Sequence, residues 1–269
     1  MIRKNNFNLY IGMFLVTVLL LLMVISIFYT PYDVNEMVIK DRFQEPSFKH
    51  LMGTDNFGRD ILSRIMKGAQ IAFLVGTVSV AVSFIFGTVI GAVAGYIGGW
   101  LDEIIMRFID ALMAFPSILL ALVFIAVFGA STQNTIIAIG IRGIPTFARI
   151  ARSGFIQYKE FEFVKAAKSI GANHMRIMFI HILPNVLSSL IIAASMGFAN
   201  AVLAEAGLSY LGLGVQPPDP SWGRMLKEAQ NYIIKAPWYT LAPGIMITMS
   251  VLGFNLLGDG IRDIRDPRG

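Results

Sequence analysis

Residues 163–185 read FVKAAKSIGANHMRIMFIHILPN, a polar and basic interruption in a chain otherwise dominated by apolar runs. Ala166, Ala167 and, one helical turn past Ala167, Gly171 give a short helix a face of small side chains, which a partner's backbone can approach closely. Lys165, Lys168 and Arg176 surround that face with charge, so it reads as a wet docking segment outside the membrane. Gly171-Ala172-Asn173 supplies a helix C-cap and turn. Pro184 suits the first turn of the next helix, where its missing N–H costs nothing.

Around this segment the composition is that of a membrane protein. Of 269 residues 55% are hydrophobic and only 14% charged, against roughly 25% charged in soluble domains. That length holds about six helical spans of roughly 20 residues with their loops. There is no cysteine, which removes disulfides, thiolate metal sites and a cysteine nucleophile together. The net charge of +5 is spread over short loops between apolar runs. Positive-inside topology accounts for it better than nucleic-acid binding does.

Arg3 and Lys4 precede an apolar run from Leu9 to about Tyr29, which reads as a retained anchor without an Ala-x-Ala cleavage site and with its amino terminus in the cytoplasm. Residues 31–70 are polar and form an outer segment. Its last part, His50 to Gln70, carries Ile61, Leu62, Ile65 and Met66 at helical spacing opposite Arg59, Arg64 and Lys67, which predicts a helix lying in the interface. Asp55, Asn56 and Asp60 lack calcium-loop spacing and read as turn and cap residues.

A second span runs from Ile71 to Ile97, with Gly87, Gly91 and Gly95 as a small-residue ridge for close helix packing. After a return over 98–110 the third span covers Ala111 to Phe128, with Pro116 near its entry. The fourth, Asn134 to Ala151, holds Arg142 near its centre and Pro145 as a bend just beyond. A charge at that depth costs several kcal/mol and must face protein or water. Arg142 therefore either lines a translocation path and meets an anionic substrate group, or pairs with an acid on a neighbouring helix or reaches the interface. Arg149 and Arg152 read as inner anchors.

Val186 to Glu205 is the fifth span, where Gly197, Ala199, Ala201 and Ala204 favour close packing. The outer loop over 205–223, EAGLSYLGLGVQPPDPSWG, mixes Gly, Pro and aromatic residues as a rigid folded segment does. Trp222, Trp238 and Tyr239 suit an interface belt, and the sixth span is Leu241 to Leu257. In this arrangement inner segments hold 12 Lys and Arg against 8 acids, and outer segments 9 against 9, a modest bias of the expected sign.

Several chemistries are missing. No phosphate-binding Gly-rich loop with Lys-Ser/Thr occurs, so the chain is not expected to hydrolyse ATP, and no His-Glu-x-x-His or Gly-x-Ser-x-Gly supports a membrane hydrolase. His50, His174 and His181 are isolated, and the 14 methionines scatter through the spans as core packing does. A stand-alone secondary transporter is a different class, but it would show internal repeats and several mid-membrane ionisable residues.

Lys165-Ala166-Ala167, Gly171 and Ile182-Leu183-Pro184 resemble the cytoplasmic coupling (EAA) loop of the permease subunits of binding-protein-dependent ABC importers, with Lys165 where that family carries glutamate. The run HLMGTDNFGRD at 50–60, the 205–223 stretch and the tail Gly-Asp-Gly-Ile-Arg-Asp…Asp266-Pro267-Arg268 are similar to one branch, the second (C-type) permease of dipeptide, oligopeptide and nickel importers, with a MetI-like transmembrane fold. The resemblance implies an all-α integral membrane protein of about six transmembrane helices, with a cytoplasmic coupling helix and a folded outer loop. Residues 1–70 would be anchor and extracytoplasmic segment, and 71–269 the transporter domain with its coupling loop at about 157–185. It implies a permease in the bacterial cytoplasmic membrane with both termini cytoplasmic, forming half of a pathway for di- and oligopeptides or, alternatively, for nickel or a metal chelate. Lys165, Ala166, Ala167, Gly171, Ile182 and Pro184 would couple to an ATPase. The implied partners are a second homologous permease, two ATPase subunits that carry ATP and Mg, an extracytoplasmic solute-binding protein and lipid, with no nucleic acid. The chain itself would bind no cofactor or metal and carry no catalytic residue.

Overall fold

The computed structural model describes residues 7–265, so the expected roles of Arg3, Lys4, Asp266, Pro267 and Arg268 lie outside the described residues. Within that range the chain is helical, with no strand beyond a single bridge between Thr54 and Asp60. The helices are α1 (Phe7–Phe28), α2 (Ile61–Ile97), α3 (Gly99–Ala114), α4 (Ser117–Phe128), α5 (Thr132–Tyr158), α6 (Glu162–Ser169), α7 (His174–Leu211), α8 (Trp222–Ala229) and α9 (Pro237–Arg265).

Four of these, α1, α2, α7 and the Pro237–Ile264 part of α9, are long and apolar enough to cross a membrane. The third expected span is broken instead of straight: α3 and α4 meet at 90° around Phe115 and Pro116. Pro116 cannot donate the backbone hydrogen bond that would continue α3, and it disfavours helical geometry at Phe115. The remaining expected span is α5, whose 27 residues reach about 40 Å; Arg142, Arg149 and Arg152 keep its composition below that of the other spans.

The bundle forms around α2 and α5. Gly87, Gly91 and Gly95 lie against Ile144, Phe147, Ala148 and Arg152 of α5, and a Cβ at Gly91 would collide with the Ala148 carbonyl oxygen. The expected glycine ridge is thus a backbone-to-backbone seam. Ser79 and Ser83 of α2 stitch it further, donating hydrogen bonds to the Ile136 and Gly140 carbonyls at 3.0 and 2.7 Å. On the other side α1 packs on α9, where a Cβ at Gly12 would lie 2.5 Å from the Leu257 nitrogen. The buried apolar residues form three clusters. One lies at the α2 amino-terminal end around Ile61, Ile65, Trp222 and Tyr239, one between the helices around Val75, Ile139 and Leu208, and one at the opposite end around Phe155, Val164, Ile177 and Ile182.

Several expectations are corrected here. Residues 61–70 are the first turns of α2, not a separate interfacial helix: Ile61, Ile65 and Met66 are buried, and so are Arg59 and Arg64. Trp222 and Tyr239 are core residues, not an interface belt, and the Trp222 indole donates to the Ile65 carbonyl at 3.1 Å. The helix expected to end at Glu205 runs on to Leu211 and stops at Gly212, which is left-handed at φ +87°. The segment beyond it is folded, as expected: 212–221 turns back so that α8 packs on α7, with a Cβ at Gly223 blocked by the Ala206 carbonyl.

The seam makes a stability prediction. Gly91→Leu is expected to lose about 1–3 kcal/mol or more by overpacking, and Gly244→Ala, where an added Cβ meets nothing within 4 Å, to stay near wild type. Thermal unfolding of the detergent-solubilised protein checks both.

Candidate functional site

The docking segment is built on α6. Its acidic first turn and basic last turn, Glu162 and Lys168, complement the helix dipole. Val164 and Ala167 are buried against Ile177, Met178 and Ile182. The helix ends as the sequence predicts: Gly171 is left-handed at φ +81°, its N–H donates to the Lys168 carbonyl, and the Ala172 N–H donates to the Ala167 carbonyl, both at 3.0 Å. Asn173 does more than turn the chain, since its side chain caps the start of α7 by accepting from the Arg176 N–H at 2.8 Å.

The six residues expected to couple to a partner divide into two groups. Lys165, Ala166, Gly171 and Pro184 are exposed, whereas Ala167 and Ile182 are buried and hold α6 to the bundle. Lys165, which replaces the family's glutamate, bonds to Glu162 at 3.0 Å, so a carboxylate remains beside it one turn earlier. Pro184 lies inside α7, not at its start, because the helix begins ten residues sooner and passes through a π-helical stretch, Ile177–Ile182, just before the proline. Wider π turns take up the backbone pairing that proline lacks. The sequence reading missed the exposed apolar side chains around the segment, Phe161, Phe163, Ile170 and Met175. Residue type alone does not separate them from Val164, Ile177 and Ile182 of the same stretch, which are buried.

A second site is a half-open cavity of about 530 Å³ bordered by α2, α5, α7 and the α3–α4 break. Arg142 lines it, together with Thr146, Asn200, Met113 and Met196. Its polar floor is partly committed to structure, because the Ser79 and Ser83 hydroxyls already donate to α5 carbonyls. Asn200 had gone unnoticed because one amide in an alanine-rich helix carries no periodic signal. Arg149 and Arg152, expected as anchors, are paired: Arg149 with Asp110 at 2.6 Å, and Arg152 in a two-pronged bond to Asp102 at 2.6 Å per prong. They tie α5 to α3 beside the cavity.

At the opposite end from α6 lies a buried ionic knot. Asp55 accepts from the Phe57 and Arg59 N–H groups and pairs with the Arg59 guanidinium at 2.5 Å. Arg59 also reaches Glu228 of α8 at 2.7 Å, and Arg64 reaches it at 3.4 Å. Asp60 caps α2 through the Ser63 N–H and receives His50 Nδ1 at 3.0 Å. The turn and cap roles read from the sequence hold, and the knot joins residues 31–60 to α8. Burial alone pushes the Glu228 carboxyl up, but Arg64 and Arg59, with hydrogen bonds from Tyr239 and Arg224, outweigh it and hold it below the usual carboxylate range. Among the described residues no cluster of three or more His, Cys, Asp or Glu is placed to hold a metal ion.

Residues 87–268 match the family model described as "Binding-protein-dependent transport system inner membrane component". The dipeptide transport system permease protein DppC of Alkalihalophilus pseudofirmus is 45% identical over 267 residues, 99% of this chain and 88% of that protein. The glutathione transport system permease protein GsiD of Pectobacterium atrosepticum is 45% identical over 239 residues, 88% and 79% of the two chains. Among solved structures, the MetNI methionine ABC transporter in an inward-facing conformation superposes with a TM-score of 0.62 at 18% identity, over 74% of this chain and 95% of that one, a likeness of fold alone.

The knot yields a prediction with a sign. A carboxyl held below its unfolded value contributes stability that is present above the unfolded pKa and lost as pH falls through the folded one. Glu228→Gln is therefore expected to destabilise at neutral pH by about 1–3 kcal/mol, because Arg59 keeps Asp55 while Arg64 loses its nearer carboxylate. The difference from wild type should shrink on acidification below the usual carboxylate range, as unfolding across pH would show.

Proposed function

The chain belongs to the family of binding-protein-dependent transport system inner membrane components, and from that membership we propose that it forms half of the translocation pathway of an ATP-driven importer of di- and oligopeptides. The observation that carries this reading is the continuity of α7. One helix of 38 residues, His174–Leu211, starts at the docking segment. It supplies Ala193, Met196, Gly197 and Asn200 to the cavity wall and ends under the outer loop. Movement imposed on α6 passes through Val164 and Ala167 to Ile177, Met178 and Ile182, and so into the wall of the cavity. The helix is unbroken from docking segment to cavity wall, with one π-helical stretch, Ile177–Ile182, ahead of Pro184, so a displacement at its start is passed along its length.

In this reading α6, the 170–173 turn and the exposed apolar residues Phe161, Ile170 and Met175 face the cytoplasm and receive an ATPase subunit. The orientation follows from the excess of basic residues on that side, and puts both termini in the cytoplasm. Residues 1–70 supply the anchor and the extracytoplasmic segment, and 71–269 the transporter domain. A second homologous permease completes the pathway, two ATPase subunits bring ATP and Mg, and a solute-binding protein delivers cargo to the outer surface. This chain binds neither nucleotide nor metal. ATP-driven closure of the ATPase pair tilts α7 and opens the cavity outward, and hydrolysis returns it inward.

Peptide cargo is favoured over nickel or a metal chelate by the described relatives, whose names specify dipeptide and glutathione, and by the chemistry of the cavity. A guanidinium suits a carboxylate, and an amide at Asn200 can both donate to and accept from a peptide group. A bare cation would instead meet the positive charge of Arg142.

Two substitutions separate the parts of this reading. Gly171→Val is expected to abolish uptake and transport-stimulated ATP hydrolysis in proteoliposomes while membrane insertion persists. Arg142→Gln is expected to lower peptide uptake tenfold or more while basal ATP hydrolysis remains. Unchanged uptake in Arg142→Gln removes the arginine from the path, and unchanged uptake in Gly171→Val removes the docking segment from the drive.

A further inference from the structure

Three exposed apolar side chains on the α1-exit side of the molecule have no role in the transport reading. Phe48 is fully exposed, Ile234 is 99% exposed and Leu51 62% exposed, although each belongs to a folded, hydrogen-bonded turn. Their height relative to the spans can be read from contacts. α1 has 22 residues, about 33 Å of helix, close to the roughly 30 Å hydrocarbon thickness, so its end at Phe28 marks one hydrocarbon boundary. The Gln70 amide donates to Ser26 Oγ at 2.9 Å, which sets the register of α2 beside α1. Gly12 lies against Leu257 and Gly260 against Leu9, so α9 runs antiparallel to α1 and brings Leu241 level with Phe28.

The turn over residues 47–53 is fixed near that boundary at both ends. The Tyr32 hydroxyl donates to the Lys49 carbonyl at 2.6 Å, and the Tyr32 N–H donates to Ser63 Oγ at 3.0 Å. Ser63 stands about 10 Å outward of Gln70 along α2, hence about 7 Å beyond Phe28. At the other end Gly53 sits on the Trp238 ring, where an added Cβ would lie 2.7 Å from Nε1. Trp238 is about 4–5 Å outward of Leu241. Ile234 is carried by the turn just before α9, where Tyr232 packs on Phe43 and the Lys235 ammonium lies 4.3 Å from the centre of the same ring. The headgroup layer on each side of a bilayer is about 5–7 Å deep. The 47–53 turn thus stands at the height of that layer, with the Ile234 turn next to Trp238, on the side of the molecule where Phe28 and Tyr29 are also exposed.

We propose that Phe48, Leu51 and Ile234 form an interfacial foot, on which the folded segment 31–60 and the turn between α8 and α9 rest in the headgroup layer of the leaflet where α1 ends. The occupant of this surface is lipid. Apolar side chains at that depth lie at the headgroup–acyl boundary, and Lys235 beside Ile234 matches an anionic headgroup, while Lys49 beside Phe48 is held by Asp41 at 2.8 Å. The foot holds the ionic knot and α8 at a fixed height above the spans, so that these outer elements move with the bundle. It stands independently of the cargo assigned to the cavity.

The absence of cysteine allows a direct test. Phe48→Cys, Leu51→Cys and Ile234→Cys, each carrying a nitroxide, are placed in the chain purified with its accompanying subunits and reconstituted in phosphatidylethanolamine–phosphatidylglycerol liposomes. Asp219→Cys, at an exposed position in the outer turn, serves as the aqueous reference. Collision of each label with oxygen and with a water-soluble nickel chelate is read by electron paramagnetic resonance. The foot predicts an oxygen-to-chelate ratio severalfold above that at Asp219 at all three positions, unchanged by added solute-binding protein. A ratio equal to that at Asp219 overturns it. So does a chelate-accessible label that becomes protected only when the solute-binding protein is added, which would assign the surface to that protein. Because the three positions are on two separate turns, loss of assembly in one variant leaves the others to decide.

Discussion

The close approach of α2 to α5 is the constraint on which the rest of the structure depends. Inside a bilayer, apolar side chains gain nothing by leaving lipid for one another, so helices hold together by van der Waals contact and by hydrogen bonds between them. Gly87, Gly91 and Gly95 supply the first by removing side chains from the seam, and Ser79 and Ser83 supply the second. The seam fixes α5, and α5 fixes the position of Arg142. Without that approach the cavity would have no wall, and α3 would lose the helix to which Arg152 and Arg149 bind it.

Against this fixed pair α7 is the element that connects the two ends of the molecule. Its start is joined to α6 by the buried contacts of Val164 and Ala167, its middle lines the cavity, and its end buries Glu205, which accepts from Ser209 Oγ at 2.6 Å and anchors the turn leading to α8. In the proposed transport role this arrangement turns a push on a short helix into a change in the shape of a cavity, with the ionic knot holding the far end. The π-helical stretch before Pro184 is where the helix gives up regular pairing, and it lies between docking segment and cavity wall.

Much of this was legible from residues alone. The glycine ridge, the C-cap at Gly171, the turn and cap roles of Asp55 and Asp60, and the all-helical membrane class follow from local chemistry, in which each residue type has few alternatives. What local chemistry could not give was partner identity. Arg64 reads as a surface residue by type and Trp222 as an interface residue, and it is tertiary packing around α2 and α8 that buries both. Span ends were misplaced for a related reason. Helices that continue past the membrane, as α2 does from Ile61 to Gln70, lose their apolar run while tertiary contacts keep them helical. The bend at Pro116 was visible as a proline but not as a 90° break, because its angle depends on what each half packs against.

The central claim is that the exposed face of α6 is gripped by a nucleotide-hydrolysing subunit. The most direct measurement places a benzophenone on Ala166→Cys, unique in this cysteine-free chain, irradiates native membranes and identifies the adduct by mass spectrometry. The account predicts a cross-link to an ATPase subunit, whose yield changes between nucleotide-free and ATP-trapped states. An adduct confined to lipid, or a complete lack of protein adducts while the chain remains inserted, would contradict it.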